Sequence, residues 1–291
     1  MKALALTLGA LLLLLTSCTH KTLREPAQAA SARVQCGTGS LGWMSSYSWC
    51  VSTPAGAPAS GHVLYYLHGN GGNEKSWATA EHDQLASQWR KHANAPSAVV
   101  TVSFGSSWFL TQSAQENFVR KVMPEVEARL GFAVKKRSLL GESMGGFNAS
   151  VLALAPQRPF ERIAIVCPAV YNINPHASAR EISQFVARQP AGTNTKFILK
   201  WFDKQRGFYR SAAEFEALNP VRMPERLTSS STPLFLLGDE KDSLGVYEGA
   251  LVMAKAAQKR GLNVQWLSIP NADHCQHTPA SSEALAAFLA R

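Results

Sequence analysis

Apolar runs separated by polar, helix-compatible stretches recur along most of the chain. The runs are apolar almost throughout and end at glycine, proline or acidic residues, which predicts buried strands. The predicted strands cover residues 62–69, 97–105, 137–142, 162–168, 233–239 and 264–270.

Stretches with helical spacing lie between these runs. They cover residues 76–93, 113–131, the segment after Ser143, 245–261 and 278–290. Pro124 predicts a kink within the second of them. Strands alternating with helices predict an α/β fold, with a mostly parallel sheet covered by helices on both faces. In such sheets, ligands bind at the C-terminal ends of the strands.

The segment 171–232 interrupts this alternation and is about 60 residues long, too long for a bare loop in a compact domain. It contains helical stretches at 177–189 and 211–219, and it carries nine basic and five acidic residues, a net charge of +4. Its aromatic side chains include Phe197, Trp201, Phe202, Phe208 and Tyr209. We predict a helical cap insertion over the active site. The alternative is a solvated helical face without a role in substrate binding.

The first apolar run, Ala3 to Leu15, follows Lys2 and is too short to span a bilayer. It is typical of a secretory signal peptide, predicted at residues 1–17. The sequence ending in Cys18 resembles the lipobox of bacterial lipoproteins, in which the cysteine carries lipid. We therefore predict lipidation at Cys18, a tether over 18–33 and a folded domain over 34–291. A chance cysteine after an ordinary signal peptide is the alternative.

This segment predicts an exported protein anchored to a membrane through lipid. Residue 19 is Thr rather than Asp. By analogy with Gram-negative lipoproteins, this favours the periplasmic side of the outer membrane over retention in the inner membrane.

The chain has 291 residues, 46% of them hydrophobic, and a formal net charge of +9. The size permits one large hydrophobic core or two small ones. The charge could suit nucleic acid or an anionic partner, but the basic residues are scattered and are not interleaved with aromatics. A nucleic-acid module is therefore not predicted.

Four cysteines remain in the exported part: Cys36, Cys50, Cys167 and Cys275. An even number in an oxidising compartment predicts two disulfides, with three possible pairings. Cys36 and Cys50 are close in sequence around a glycine-rich middle, so a local hairpin could pair them. No CxxC is present and the histidines lack ligand spacing, so no metal site is predicted.

The sequence "GESMGG" places Ser143 between an apolar strand and a helix. A GxSxG motif in this setting indicates a nucleophile elbow, a sharp turn that exposes the serine hydroxyl above the sheet. The backbone N–H of Met144 would face the same space, and the helix N-terminus would favour an oxyanion there. A purely structural turn is the alternative.

A nucleophilic serine needs a base and an acid that orients the base, in the chain order serine, acid, histidine. The loop after strand 233–239 offers Asp239, Glu240 and Asp242, and the loop after 264–270 offers His274 and His277. We predict Asp242 as the acid, because a few residues of loop let the carboxylate turn towards histidine, with Asp239 in reserve. We predict His274 as the base, because it lies closer to the strand end than His277.

A second oxyanion donor is predicted in "LHGNGG", which follows the strand 62–69. Its glycines allow the backbone to approach the substrate closely, and we assign the donor to the N–H of Asn70. A glycine-rich turn without this role is the alternative.

The stretches "HVLYYLHGNGGNEKSW", "ENFV" and "GESMGGFNASVLAL" together resemble the esterase D family of α/β-hydrolases, from about residue 45 to the C-terminus. The resemblance implies an α/β-hydrolase fold, serine ester chemistry and no cofactor, and it supports the Asn70 and Met144 donors. Its strand order would bring the loop of His274 over the strand end carrying Cys167. It thus implies a Cys167–Cys275 disulfide, which would hold the base in place.

We therefore predict a serine esterase that acts through an acyl-enzyme on a small-molecule ester. The aromatics and charge of the cap favour an aromatic or anionic substrate, such as a feruloyl or catecholate-siderophore ester. The alternatives are an acyltransferase with the same triad and a catalytically silent, lipid-anchored binding protein.

Overall fold

The structure is a computed structural model, and it describes residues 33–41, 46–54, 56–57, 59–77, 80–105, 112–228 and 231–291. The predicted signal peptide, the lipidation site at Cys18 and the tether up to residue 32 lie outside these residues. Among the residues described, no helix is long and apolar enough to cross a membrane.

Eight strands form one sheet in the order β1-β2-β4-β3-β5-β6-β7-β8. The pairs β1–β2 and β2–β4 are antiparallel, and all the other neighbouring pairs are parallel. The strands are β1 (Arg33–Ser40), β2 (Ser46–Thr53), β3 (His62–Leu67), β4 (Ala98–Ser103), β5 (Lys136–Glu142), β6 (Arg162–Val166), β7 (Leu234–Asp239) and β8 (Val264–Ile269). The six strands expected from the apolar runs are all present, and the mostly parallel α/β fold is confirmed.

The hairpin of β1 and β2 extends the sheet beyond the predicted strands. Cys36 and Cys50 lie directly opposite each other in this hairpin and form a disulfide, with their Cα atoms 4.0 Å apart. The pairing across a local hairpin is thereby confirmed.

Helices cover both faces of the sheet. Alternate residues of β3 enter two separate hydrophobic cores, Val63 and Tyr65 on one face and Leu64 and Tyr66 on the other. This separation follows from the two-residue period of a strand. The helices are α1 (Ala80–Trp89), α2 (Gln112–Asn117), α3 (Met123–Glu127), α4 (Met144–Leu152), α5 (Ala179–Ala187), α6 (Thr195–Phe208), α7 (Ala212–Leu218), α8 (Met223–Arg226), α9 (Tyr247–Lys259) and α10 (Pro279–Ala290).

A π-helical segment, Phe118–Val122, joins α2 to α3 directly before Pro124. Proline lacks an N–H, and its ring clashes with the carbonyl four residues earlier. The wider turn accommodates this clash, so the irregularity expected at Pro124 takes the form of a π-helical turn rather than a broken helix.

The segment between β6 and β7 is helical and comprises α5, α6, α7 and α8. Its core is aromatic: the ring of Tyr171 packs edge-on against Phe185, Trp201 and Phe202. Trp201, Phe202 and Tyr209 are buried in a cluster that also includes side chains of α4. These three aromatics, which the sequence suggested for substrate binding, instead stabilise the insertion and pack it together with α4.

Candidate active site

Ser143 forms the sharp corner between β5 and α4. β5 ends at Glu142 and α4 begins at Met144, and Ser143 between them has φ 54° and ψ −112°. A positive φ is strained in a residue with a Cβ atom, and such strain clusters at functional sites.

The glycines around this corner are required by close packing. A Cβ atom on Gly141 would overlap the carbonyl oxygen of Gly145, and a Cβ atom on Gly145 would overlap the carbonyl oxygen of Leu67. The absence of side chains thus lets the start of α4 lie against the end of β3. The GxSxG spacing is therefore a steric requirement of this turn.

Three predicted site residues meet at the corner. The Oγ atom of Ser143 lies 2.8 Å from Nε2 of His274, and Nδ1 of His274 lies 2.7 Å from Oδ2 of Asp242. An ionised carboxylate can only accept, so Nδ1–H donates to Asp242, and Nε2 is left to accept from the serine hydroxyl. This is the geometry that a base needs to take a proton from the hydroxyl.

Asp242 is held in a tight turn beyond β7. Its backbone N–H donates to the carbonyl oxygen of Asp239, 3.1 Å away, and its Oδ1 atom accepts from the N–H of Leu244 at 2.8 Å. The side chain is almost fully buried. The turn carries the carboxylate back over the sheet to His274, as the sequence argument required.

Asp239, the reserve candidate, stays at the end of β7 and is fully buried. Burial and the negative charge of Asp242 raise the pKa of its carboxyl from 3.8 to about 7. The imidazole of His274 hydrogen-bonds to Asp242 and not to this reserve candidate.

Asp273 joins two loops: the acid loop, which follows β7 and carries Asp242, and the base loop, which follows β8 and carries His274. The sequence analysis did not identify Asp273. Its Oδ1 atom accepts from the backbone N–H of Ser243 at 2.8 Å and from that of His274 at 2.6 Å. The bonds from Ser243 and His274 lower the pKa of the Asp273 carboxyl. One ionised side chain thus holds together the loops that supply the acid and the base.

A disulfide joins Cys167, just beyond β6, to Cys275, with Cα atoms 5.3 Å apart, so this predicted pairing is confirmed. Both cysteines have positive φ, 40° and 55°. The bond fixes the residue that follows His274 to the strand end beside the nucleophile strand.

Among the residues described, one cluster could by position hold a metal ion. It consists of the two cysteines and His274, whose ligand atoms lie within 4.8 Å of one another. Metal ligation needs thiolates, and the disulfide consumes both sulfurs. The residues present therefore do not fit a metal ion.

The glycine-rich loop after β3 passes beside the nucleophile. A Cβ atom on Gly69 would lie 3.4 Å from Cβ of Ser143, at van der Waals distance, so the loop passes close to the serine. The ring of His68 bonds to the carbonyl oxygen of Gly69 at 2.8 Å and to Oγ of Ser103 at 2.8 Å, which fixes this loop. Asn70 follows Gly69 and Met144 follows Ser143, so both predicted oxyanion donors adjoin residues that lie close together.

A second polar cluster lies behind the elbow, around Glu142. Its Oε1 atom lies 3.0 Å from Nε2 of His277 and 3.3 Å from Nε2 of His82, and its Oε2 atom accepts from the hydroxyl of Tyr66 at 2.7 Å. His277, the second candidate base, therefore contacts Glu142. The charge of Glu142 at the end of an apolar strand is the sequence signal for such partners, because a buried carboxylate has to be paired.

Comparison with known proteins supports the fold. No curated protein matches the chain significantly in sequence. Among solved structures, it is similar to carboxyl esterase 2 of the fungus Tuber melanosporum, at a TM-score of 0.63 and 14% identity over 91% of this chain and 88% of that one. It is also similar to a thermostable esterase of Pseudomonas putida, at a TM-score of 0.59 and 18% identity over 90% and 83% of the two chains.

An ester-hydrolase from the metagenome of Lake Arreo, solved with a derivative of bipyridine phosphonate, has a TM-score of 0.63 and 17% identity over 91% and 84% of the two chains. At these identities the likeness establishes the fold alone, and the narrower resemblance to esterase D stays a prediction. The family model described as alpha/beta hydrolase family matches residues 64–288, which include Ser143, Asp242 and His274, and the chain therefore belongs to the alpha/beta hydrolase family.

Proposed function

We propose that the protein is a serine hydrolase of carboxylic esters. The observation that carries the proposal is the hydrogen-bonded series Ser143–His274–Asp242 at a strained elbow. Structural relatives described as esterases add support through the shared fold.

The reaction follows from the positions of these groups. The Oγ atom of Ser143 attacks the ester carbonyl carbon while Nε2 of His274 takes its proton, and Asp242 stabilises the resulting imidazolium. The N–H groups of Met144 and Asn70 are the proposed donors to the oxyanion. The imidazolium then protonates the leaving alcohol, which leaves an acyl group on Ser143. Water, deprotonated by His274, attacks this acyl-enzyme, the bond to Oγ of Ser143 breaks, and the imidazolium returns the proton to Oγ as the acid leaves.

If an alcohol took the place of water, the same acyl-enzyme would make the protein an acyltransferase. The product, a free acid or a new ester, distinguishes the two activities. For the substrate, the prediction of an anionic or aromatic ester, such as a catecholate-siderophore or feruloyl ester, leads us to propose an ester with an anionic part. The positive charge of the insertion between β6 and β7 supports the anionic part. The burial of Trp201, Phe202 and Tyr209 withdraws most of the support for an aromatic part.

We also propose that the protein is exported and anchored to a membrane through lipid on Cys18. The support is the sequence of the N-terminal segment. Radiolabelled palmitate incorporated by the wild type and lost in Cys18→Ala would test it, and equal labelling of both would contradict it.

Labelling with a fluorophosphonate and hydrolysis of p-nitrophenyl butyrate test the proposed chemistry. The wild type should label on the peptide containing Ser143, and Ser143→Ala should lose the label and lower kcat by about 10⁴-fold or more. Ser150→Ala is the matched control on the same helix, because the hydroxyl of Ser150 is buried and bonds to the carbonyl oxygen of Gly146. An unlabelled, inactive wild type would identify a silent binding protein instead.

A further inference from the structure

The base loop contacts two successive residues of the nucleophile elbow, Glu142 and Ser143. His274 reaches Ser143 at 2.8 Å, and His277, three residues later, reaches Glu142 at 3.0 Å. The triad accounts for the first contact. The second involves a buried carboxylate and a nearly buried imidazole, with side chains 11% and 5% exposed, which the reaction itself does not use.

The loop needs such contacts because it has no regular structure between β8 and α10. Two of its residues, Asn271 and Cys275, have positive φ. The Cys275 disulfide links the loop to the end of β6, and Asp273 links it to the acid loop. His277 links the loop to β5, the strand that ends at the nucleophile.

Glu142 is held as an anion from three sides. Burial by itself would raise the pKa of its carboxyl, but hydrogen bonds from His277 and His82 outweigh burial and hold that pKa well below its usual range. An anion accepts only, so the Nε2 atoms of both imidazoles carry hydrogen and donate. The hydroxyl of Tyr66 supplies the third bond, and the ring of His82 stacks on Trp77 at 4.4 Å. Glu142 is therefore a fixed, charged anchor.

We propose that His277 and Glu142 form a positioning pair that sets the distance between His274 and Ser143. The pair touches no reacting atom and acts through the loop, in which three residues connect its contact to the base. The inference rests on the proposed function, since it concerns the rate of the same serine chemistry. A displacement of about 1 Å in such a site can cost about 10²-fold in rate.

Two amide substitutions separate positioning from simple packing. The amide nitrogen of His277→Gln can take the place of Nε2 and donate to Glu142, whereas the amide of His277→Asn is one methylene shorter and falls short. His82→Asn is the matched control, because it removes a donor to the same carboxylate from α1 instead of from the base loop.

The measurement is kcat and KM on p-nitrophenyl butyrate, with kcat divided by the active sites counted by complete fluorophosphonate labelling. We expect His277→Asn to lower kcat about 10- to 100-fold with KM within about threefold. His277→Gln should recover kcat to within about fivefold of the wild type, and His82→Asn should lower it by less than about threefold. Counting the sites removes the contribution of molecules that fail to fold.

Wild-type kcat per site in His277→Asn would overturn the proposal, and so would an equal loss in His82→Asn. If too few active sites of His277→Asn remain to be counted, Glu142→Gln is measured in its place. We expect it to lower kcat about tenfold, and an unchanged kcat would overturn the proposed pair. A Ser143→Ala variant with full activity would instead contradict the proposed function, so the two failures are distinct.

Discussion

At Gly145, the first turn of α4 leaves no space for a side chain, because a Cβ atom there would overlap the carbonyl oxygen of Leu67. Backbone atoms on both sides cannot move without breaking β3 or the elbow, so we expect Gly145→Ala to lower Tm by at least about 6 °C and to abolish turnover. Gly207→Ala in α6 is the control, since no described atom lies within 4 Å of its Cβ position. An unchanged Tm and activity in Gly145→Ala, measured by thermal unfolding and ester hydrolysis, would show that the elbow tolerates a side chain.

The two aspartates beyond β7 make a separate test at the residue scale. Asp242→Asn should lower kcat about 10⁴-fold, because the amide favours the wrong tautomer of His274. Asp239→Asn should keep kcat within about fivefold, since the hydrogen bond of the imidazole goes to Asp242. The opposite ranking in steady-state assays would make Asp239 the acid.

The raised pKa of Asp239 predicts how the free energy of unfolding depends on pH. Its folded pKa of about 7 lies above its ordinary value of 3.8, so the stability it contributes is fully present below about pH 4 and is lost as pH rises through 7. Asp239→Asn cannot ionise, so we expect the variant to gain free energy of unfolding over the wild type between pH 5 and 8. Urea denaturation at each pH measures the difference, and a constant difference would contradict the shift.

Sequence reasoning brought together Ser143, Asp242 and His274 because motif, chain order and strand ends are local signals. It missed Glu142, His82 and Asp273 because their partners come from other elements. Glu142 meets His82 of α1 and His277 of the base loop, and Asp273 bonds to Ser243 of the acid loop. Such contacts depend on how helices, strands and loops pack against one another, and an analysis of one strand at a time does not reveal this packing.

At the scale of elements, the apolar runs predicted β3 to β8. The first five of these lie inside the sheet and are mostly buried, and β8, at the far edge, is still partly buried along its length. β1 was missed for the opposite reason. It lies at the edge of the sheet, six of its eight residues are exposed, and its sequence RVQCGTGS contains two glycines. An edge strand with little burial has no apolar pattern to detect, and here the cysteine pair was the available signal.

The two disulfides should have different effects when removed. The Cys167–Cys275 bond closes 108 residues and the Cys36–Cys50 bond 14, so loop entropy gives roughly 4.7 and 3 kcal/mol of stabilisation. Beyond this, Cys275 follows His274, and we expect Cys167→Ser/Cys275→Ser to lower kcat at least about tenfold per labelled site. Cys36→Ser/Cys50→Ser is the control and should lose stability while keeping kcat. Equal kcat in both double variants would show that the first bond does not position the base.

For the molecule as a whole, the helical insertion shows where composition fails to predict function. Its aromatic residues suggested a substrate surface, but most of them form its own core. Phe208, 53% exposed, and the partly exposed Phe197 lie outside that core. An aromatic side chain can serve either purpose, and its burial is known only once the helices are packed. The charged residues, in contrast, are mostly exposed and remain available to a substrate.

The surplus positive charge of the insertion should attract anionic esters over long distances. In α6, Lys196 and Lys200 are exposed and lie four residues apart. We expect kcat/KM for a p-nitrophenyl hemisuccinate to fall several-fold between about 20 and 300 mM NaCl, while the value for p-nitrophenyl butyrate stays constant, because salt screens charge and not apolar contact. Lys196→Glu/Lys200→Glu should remove most of that salt dependence. Lys255→Glu/Lys259→Glu is the control, because it makes the same charge change at the same spacing on α9, outside the insertion. This double variant should keep the salt dependence. A salt dependence equal in both double variants would assign the attraction to the net charge of +9 and not to the insertion.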